Sequence, residues 1–162
     1  MDKKLEKALN DQIKNEFYSS YLYLAMAAHF EAKSLPGFAH WMKVQAKEEW
    51  SHGMKIFDFL ADRGSKIELQ EITKPPAEYG LAAAIFEAVL KHEQKVTGLI
   101  DQLYDLSLKV NDHASVVFLQ WFVNEQVEEE KNATLILDTL KTIKEVGPAL
   151  IMLDRELAKR GS

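Results

Sequence analysis

Glu49 and His52 stand three residues apart in the run AKEEWSHGMK (residues 46–55), directly after Glu48. On a helix, such a pair leaves one face about one turn apart. On a wet face it is ordinary charge decoration. Turned inward it needs a partner, because burying an unpaired carboxylate is far too costly. Candidate partners recur at a fixed interval: 77 residues separate Glu16 from Glu93, Glu49 from Gln126, and His52 from Glu129. The same interval relates Trp41 to Phe118 and Glu48 to Glu125. One helix pair used twice, about a pseudo-two-fold axis, would bring these groups together. Carboxylates and an imidazole so arranged suit a pair of divalent ions, with one carboxylate bridging both. Without ions the same carboxylates would repel and raise one another's pKa values. Taken singly, Glu16 or Glu93 reads as readily as a local ion pair or a hydrated defect; the shared interval is what favours metal.

The elements that must carry these groups are helices. Residues 3–33 contain no Gly or Pro and repeat Leu5, Leu9, Ile13, Tyr23, Ala27 and Phe30 at helical spacing. Pro36-Gly37 opens a second helix over about 37–63, closed by Arg63-Gly64. A third is predicted over 80–109, a fourth over 113–143 after the turn Asn111-Asp112, and a short fifth over 148–159. At 100° per residue, Leu5, Leu9, Tyr23 and Ala27 fall within about 20° of Glu16. Trp41 and Phe59 fall equally close to His52, with Glu49 about 60° away. Glu93 shares a face with Phe86, Ile100 and Tyr104, and Gln126 with Leu119, Ala133 and Leu137, with Glu129 at its edge. All four long helices therefore carry polar groups inward near their midpoints. Residues 64–79 hold two prolines and no helical period. At ~3.3 Å per residue they can run the whole length of helices ~40–46 Å long. The expected fold is all-α, a single domain over 1–162: a four-helix bundle with one long crossover between helices two and three, plus the short C-terminal helix. An up-and-down bundle with a loose loop is the alternative. Bundles of this kind that hold di-iron or di-manganese carry Glu-x-x-His in both paired positions; here the second pair is Gln126-x-x-Glu129, so one half departs.

Composition narrows the function. Apolar residues make up 47% and charged residues 28%, as in an ordinary globular chain. The absence of Cys excludes disulfides, thiolate metal sites and Cys nucleophiles, and fits a reducing compartment. The opening MDKKLEKALNDQ has no apolar stretch resembling a secretory signal, and no run could span a bilayer, so no membrane partner is expected. A net charge of −5 disfavours nucleic acid as a partner.

Four motifs together, NEFYSSYLYLAMA, GFAHWMKVQAKEEWSH, KHEQKVT and FLQWFVNEQVEEEK, resemble the ferritin family, specifically prokaryotic non-haem ferritins, over essentially the whole chain. The resemblance implies a ferritin-like bundle that oxidises Fe2+ with O2 or H2O2. It implies storage of ferric oxyhydroxide in a cytoplasmic homo-oligomeric cage of twenty-four subunits. It assigns one iron to Glu16, Glu49 and His52, a bridging role to Glu49, and a second iron to Glu93 and Glu129, with Gln126 orienting oxygen or water. A third iron beside the pair would use Glu48, Glu125, Glu128 and Glu129; the alternative for NEQVEEE is a solvated acidic face. Tyr23 resembles the family's site tyrosine, a hydrogen-bond and electron donor, or is a plain core residue. Trp50 stands where bacterioferritins have their haem-ligating Met, and Glu129 where they have His, so no haem is expected. The acids of the animal three-fold channel fall here on Val116 and Leu119, so that entry route is not carried over. His29, His40, His92 and His113 lack ligand spacing and read as structural. Leu22, Leu24 and Tyr21 are expected to face outward, and with the fifth helix to lie at contacts between subunits. The rival functions are a non-storing di-iron oxidase or peroxide-detoxifying bundle, and a structural shell subunit.

Overall fold

The computed structural model describes residues 1–145 and 147–161. It contains five helices: α1 (Lys3–Ala32), α2 (Pro36–Asp62), α3 (Ala82–Lys109), α4 (His113–Ile143) and α5 (Gly147–Leu157). No strand occurs among the described residues. The expected boundaries shift by one or two residues: α2 begins at Pro36, α3 at Ala82, and α5 runs 147–157 rather than 148–159.

Helix ends are satisfied locally or from a distance. The Asp2 carboxylate accepts from the N–H groups of Lys4 (2.8 Å) and Leu5 (3.2 Å), and Asp112 accepts from Ser115 N–H (3.0 Å). Asp112 also takes two 2.9 Å hydrogen bonds from Arg63, tying the end of α2 to the start of α4. Gly64, at φ +61°, lets the chain leave α2 in the left-handed region. Leu35, which precedes α2, offers no capping side chain, and Asp154 of α5 supplies one: its Oδ1 accepts from Phe38 N–H at 2.9 Å. Gly37 makes that approach possible, because a Cβ there would lie 1.6 Å from the Asp154 carbonyl oxygen. Glu145, in the α4–α5 link, accepts from Ala83 N–H and caps α3 in the same manner.

α1 packs mainly on α2, and α3 mainly on α4, as two antiparallel hairpins. α2 and α3 both begin at one end of the bundle. Residues 63–81 therefore run its full length along α1. Asn10 holds the crossover near its start, donating to Lys66 O (2.9 Å) and accepting from Glu68 N–H (2.7 Å). His29 meets Gly80 O at 3.2 Å near its finish.

Two apolar plugs fill the bundle. One gathers Tyr23, Phe30, Phe38, Trp41, Phe86 and Leu140; the other gathers Leu5, Ile13, Ile56, Ile100, Leu119 and Phe122. Each fully buried side chain of this size contributes roughly 1.5–3 kcal/mol. Between the plugs lies a buried polar belt formed from α1–α4. Leu22 corrects the sequence expectation: it is buried in the first plug, while Tyr21 and Leu24 are exposed. α1 packs so extensively on α2 that its buried stripe is wider than a single helical line.

Candidate metal centre

The belt contains Glu16 (1% exposed), Glu49 (2%), His52 (5%), Glu93 (2%), Gln126 (5%) and Glu129 (5%). Each reaches it by helical phase: one residue from α1, a three-spaced pair from α2, one from α3 and a three-spaced pair from α4. Ligand-type atoms converge in three groups, each within 4.8 Å: Glu16, Glu49 and His52; Glu49, Glu93 and Glu129; and His52, Glu125 and Glu129. Glu49 belongs to both of the fully buried groups. His52 points its Nδ1 at Glu49 (3.5 Å) and Glu16 (4.0 Å), and its Nε2 at Glu125 (3.8 Å). These are too long for hydrogen bonds and leave room for an ion between the donors.

Neighbouring polar groups orient the carboxylates. Gln12 Nε2 donates to Glu16 (2.7 Å), and Gln45 Nε2 donates to both Glu49 (2.9 Å) and Glu129 (2.8 Å). Gln126 Nε2 faces Glu93 Oε2 (3.3 Å), the Glu93 carbonyl (3.2 Å) and Thr97 Oγ1 (3.3 Å). Tyr23 donates its hydroxyl to Glu93. His92 meets Ser19 Oγ at 2.7 Å beside the Tyr23 ring.

Electrostatically the metal-free belt is a frustrated cluster. Burial, and then the Glu49 charge, raise Glu16 from 4.5 to about 8. Burial, then Glu93, raise Glu129 to about 7. Burial raises Glu93 to about 6 against the hydrogen bonds from Tyr23 and Gln126. Glu49 is pushed well above its ordinary value by burial and by Glu93 and Glu129. Burial and the Glu93 charge likewise raise Tyr23. Burial lowers His92 to about 4, so its ring is neutral at pH 7. Gln45 Oε1 is buried without a hydrogen-bond partner among the described residues, which adds a free acceptor beside Glu49. Divalent cations would resolve this conflict, and the donor set of carboxylate oxygens and one imidazole fits Fe2+, as it fits other borderline divalent ions.

Not all the expected outer ligands converge. Glu125 is half-buried and joins His52 and Glu129. Glu48 is turned to Arg160 in an ion pair, and burial outweighs that guanidinium to raise its pKa. Glu128 is exposed and lies in none of the three groups. Sequence reasoning assigned no role to Gln12, Gln45, Thr97 or Arg160. A signal existed for two of them: Gln12-Glu16 and Gln45-Glu49 share a four-residue helical spacing. Of the other histidines, His29 and His40 contact backbone carbonyls, consistent with structural roles.

The ferritin family model, described as a ferritin-like domain, matches residues 6–143. A bacterial non-heme ferritin of Bacteroides fragilis is 39% identical over 160 residues, covering 99% of each chain. Another of Staphylococcus saprophyticus is 41% identical over 160 residues, covering 99% of this chain and 96% of the relative. The crystal structure of an open pore ferritin from the hyperthermophilic archaeon Archaeoglobus fulgidus superposes with a TM-score of 0.98 at 45% identity over 99% of both chains. A bundle of this topology, with a carboxylate belt at its midpoint and likeness along its whole length, belongs to the ferritin family.

Proposed function

We propose that this chain is an iron-storing ferroxidase, a single di-iron domain acting in the cytoplasm. The observation that carries the proposal is Glu49, a buried carboxylate shared by two adjoining ligand groups. Fe2+ is the substrate. One ion would lie among Glu16, Glu49 and His52, and a second among Glu49, Glu93 and Glu129. Each gives up one electron to O2 or H2O2. Glu49 and its neighbours release protons as the ions enter, since carboxylates held above their ordinary pKa values must ionise to ligate. Gln126 presents its amide beside the pair, and Tyr23 steadies Glu93 from the opposite side. Glu125, Glu129, Glu48 and Glu128 would take a third ion on the way to a mineral core. Trp50 and Glu129, in the places of the bacterioferritin Met and His, support a haem-free protein.

Storage requires a cage. Tyr21, Leu24, Trp50 and Ile151 are exposed apolar groups on one subunit and suit burial against further copies. A homo-oligomer of twenty-four subunits, as the resemblance to ferritins implies, would weigh about 450 kDa. Aerobic loading with Fe2+, followed by size separation with iron analysis, tests the proposal. Iron co-migrating with a particle of that size, far beyond two or three ions per subunit, is the expected result. Oxidation without retained mineral would favour the non-storing di-iron oxidase or peroxide-detoxifying reading. Absence of oxidation would leave a shell protein.

A further inference from the structure

The chain beyond α5 closes over the outer edge of the belt. After Leu157, the turn ends with Arg160, and three contacts fix that residue to α2. Its carbonyl oxygen meets His40 Nε2 at 2.8 Å. Its Nη1 lies 3.4 Å from the Trp41 carbonyl. Its guanidinium stacks over the Trp41 ring, 4.4 Å from the centroid. So held, Nη2 pairs with Glu48, about two helical turns beyond Trp41. The Arg160 side chain is 19% exposed and that of Glu48 39%, so this is a partly buried pair rather than a loose surface contact.

Glu48 feels the charges of His52, Glu125 and Glu128 as well as that of Arg160, with which it pairs. Beside it, His52 is buried, makes no hydrogen bond among the described residues, and aims Nε2 toward Glu125. A cation arriving at this outer site therefore meets a carboxylate already paired with a tethered positive charge.

We propose that Arg160 is a resident counter-cation for Glu48, which an outer-site ferrous ion must displace, so that the C-terminal tail sets the affinity of the outer site. Arg160 is thus a positioning residue: it touches no buried ligand, and it acts through Glu48. The proposal rests on the metal-binding function put forward above. It gives the outer site a built-in weakness: an ion held there gains a ligand only by releasing the guanidinium, and leaves more readily because the guanidinium returns.

The test is calorimetric titration of the assembled, full-length protein with Zn2+, which binds without redox chemistry. The parent is compared with Arg160→Gln, Arg160→Lys, Glu48→Gln and the Arg160→Gln/Glu48→Gln double variant. The expected result has two tight ions per subunit in the parent and a weaker third. The third binds about fivefold more tightly in Arg160→Gln, the fold-change equivalent to roughly 1 kcal/mol for one partly exposed ion pair. Arg160→Lys returns it toward the parent, and Arg160→Gln has no effect once Glu48 is Gln. A third ion bound equally or less tightly in Arg160→Gln overturns the inference and leaves Arg160 as a tail anchor. So does an unchanged Arg160→Gln effect in the Glu48→Gln background, or the lack of any third ion in both parent and Arg160→Gln. Loss of the two tight ions from the parent itself would instead overturn the di-iron reading, and this inference with it.

Discussion

Replacing Glu49 with Gln separates the two halves of its role. In the metal-free protein, burial and the neighbouring Glu93 and Glu129 charges push the Glu49 carboxyl well above its ordinary value, toward its neutral form. Gln is the neutral isostere of that state. Its Oε1 can still accept from Gln45, and the two apolar plugs are untouched. The apo fold is therefore expected to survive with stability equal to or above the parent's. Metal binding should fare differently. Glu49 alone among the buried residues belongs to both inner ligand groups, and an amide bridges two Fe2+ ions poorly. If losing one ligand weakens an ion by at least about tenfold, the product of the two affinities falls at least about a hundredfold. Glu16→Gln, a member of one group only, should weaken one ion and spare most of the other. Two assays read this: Zn2+ calorimetry on both variants, and stopped-flow oxidation at two Fe2+ per subunit. Glu49→Gln should also release fewer protons on binding, because one acidic group is gone, and its initial oxidation rate should fall at least about tenfold. Oxidation at the parent rate, or equal losses of affinity in Glu49→Gln and Glu16→Gln, would refute the bridging argument.

In the metal-free protein, Glu93, Glu129 and Glu16 bind protons more tightly when folded, at about 6, 7 and 8, than at their ordinary 4.5. Their contribution is thus favourable below that ordinary value and is lost as pH rises through the folded values. Urea midpoints of the apo protein should fall between pH 5 and pH 8, and Zn2+ should reverse the trend; a rising midpoint without metal would contradict the assigned shifts. Purified protein is expected to show no Soret band even after expression with added haem, and a stoichiometric band would move the chain toward bacterioferritin. Gly37→Ala should undock α5 while sparing the bundle, because the new Cβ collides with Asp154 backbone. Limited proteolysis should then cut near residue 145 with helical ellipticity nearly unchanged, whereas parental resistance would show that α5 does not depend on that approach.

The bundle was legible because its signals are periodic. Apolar spacing located four long helices to within two residues, and residues 64–79 were long enough for a crossover, though a loose loop was the alternative. The inner groups were legible for a related reason: Glu16, Glu49, His52, Glu93, Gln126 and Glu129 obey both helical phase and the 77-residue interval, two independent constraints on the same positions. Gln45 escaped a role because the interval carries it to Phe122, breaking the symmetry that revealed its neighbours. Its i,i+4 relation to Glu49 was the available clue. Arg160 had no clue at all. It follows the last helix and meets Glu48 across 112 residues of chain, through the docking of α5 rather than through any repeat. Leu22 failed for a packing reason: a line drawn through Glu16 marks the centre of the buried stripe on α1 but not its width against α2.

The crossover links two hairpins that contribute unequally to the two inner ligand groups. Glu16, Glu49 and His52 all come from α1 and α2, whereas the second group takes Glu49 from the first hairpin and Glu93 and Glu129 from the second. An ion in the first group would close only a local loop, whereas an ion in the second would staple the two hairpins, adding to the apolar plugs they share. Cleaving the backbone within 69–78 would turn the protein into a two-fragment complementation pair. Its reassembly would be strengthened by ions that join the hairpins, in the second group or in the group of His52, Glu125 and Glu129, and a chelator would weaken it.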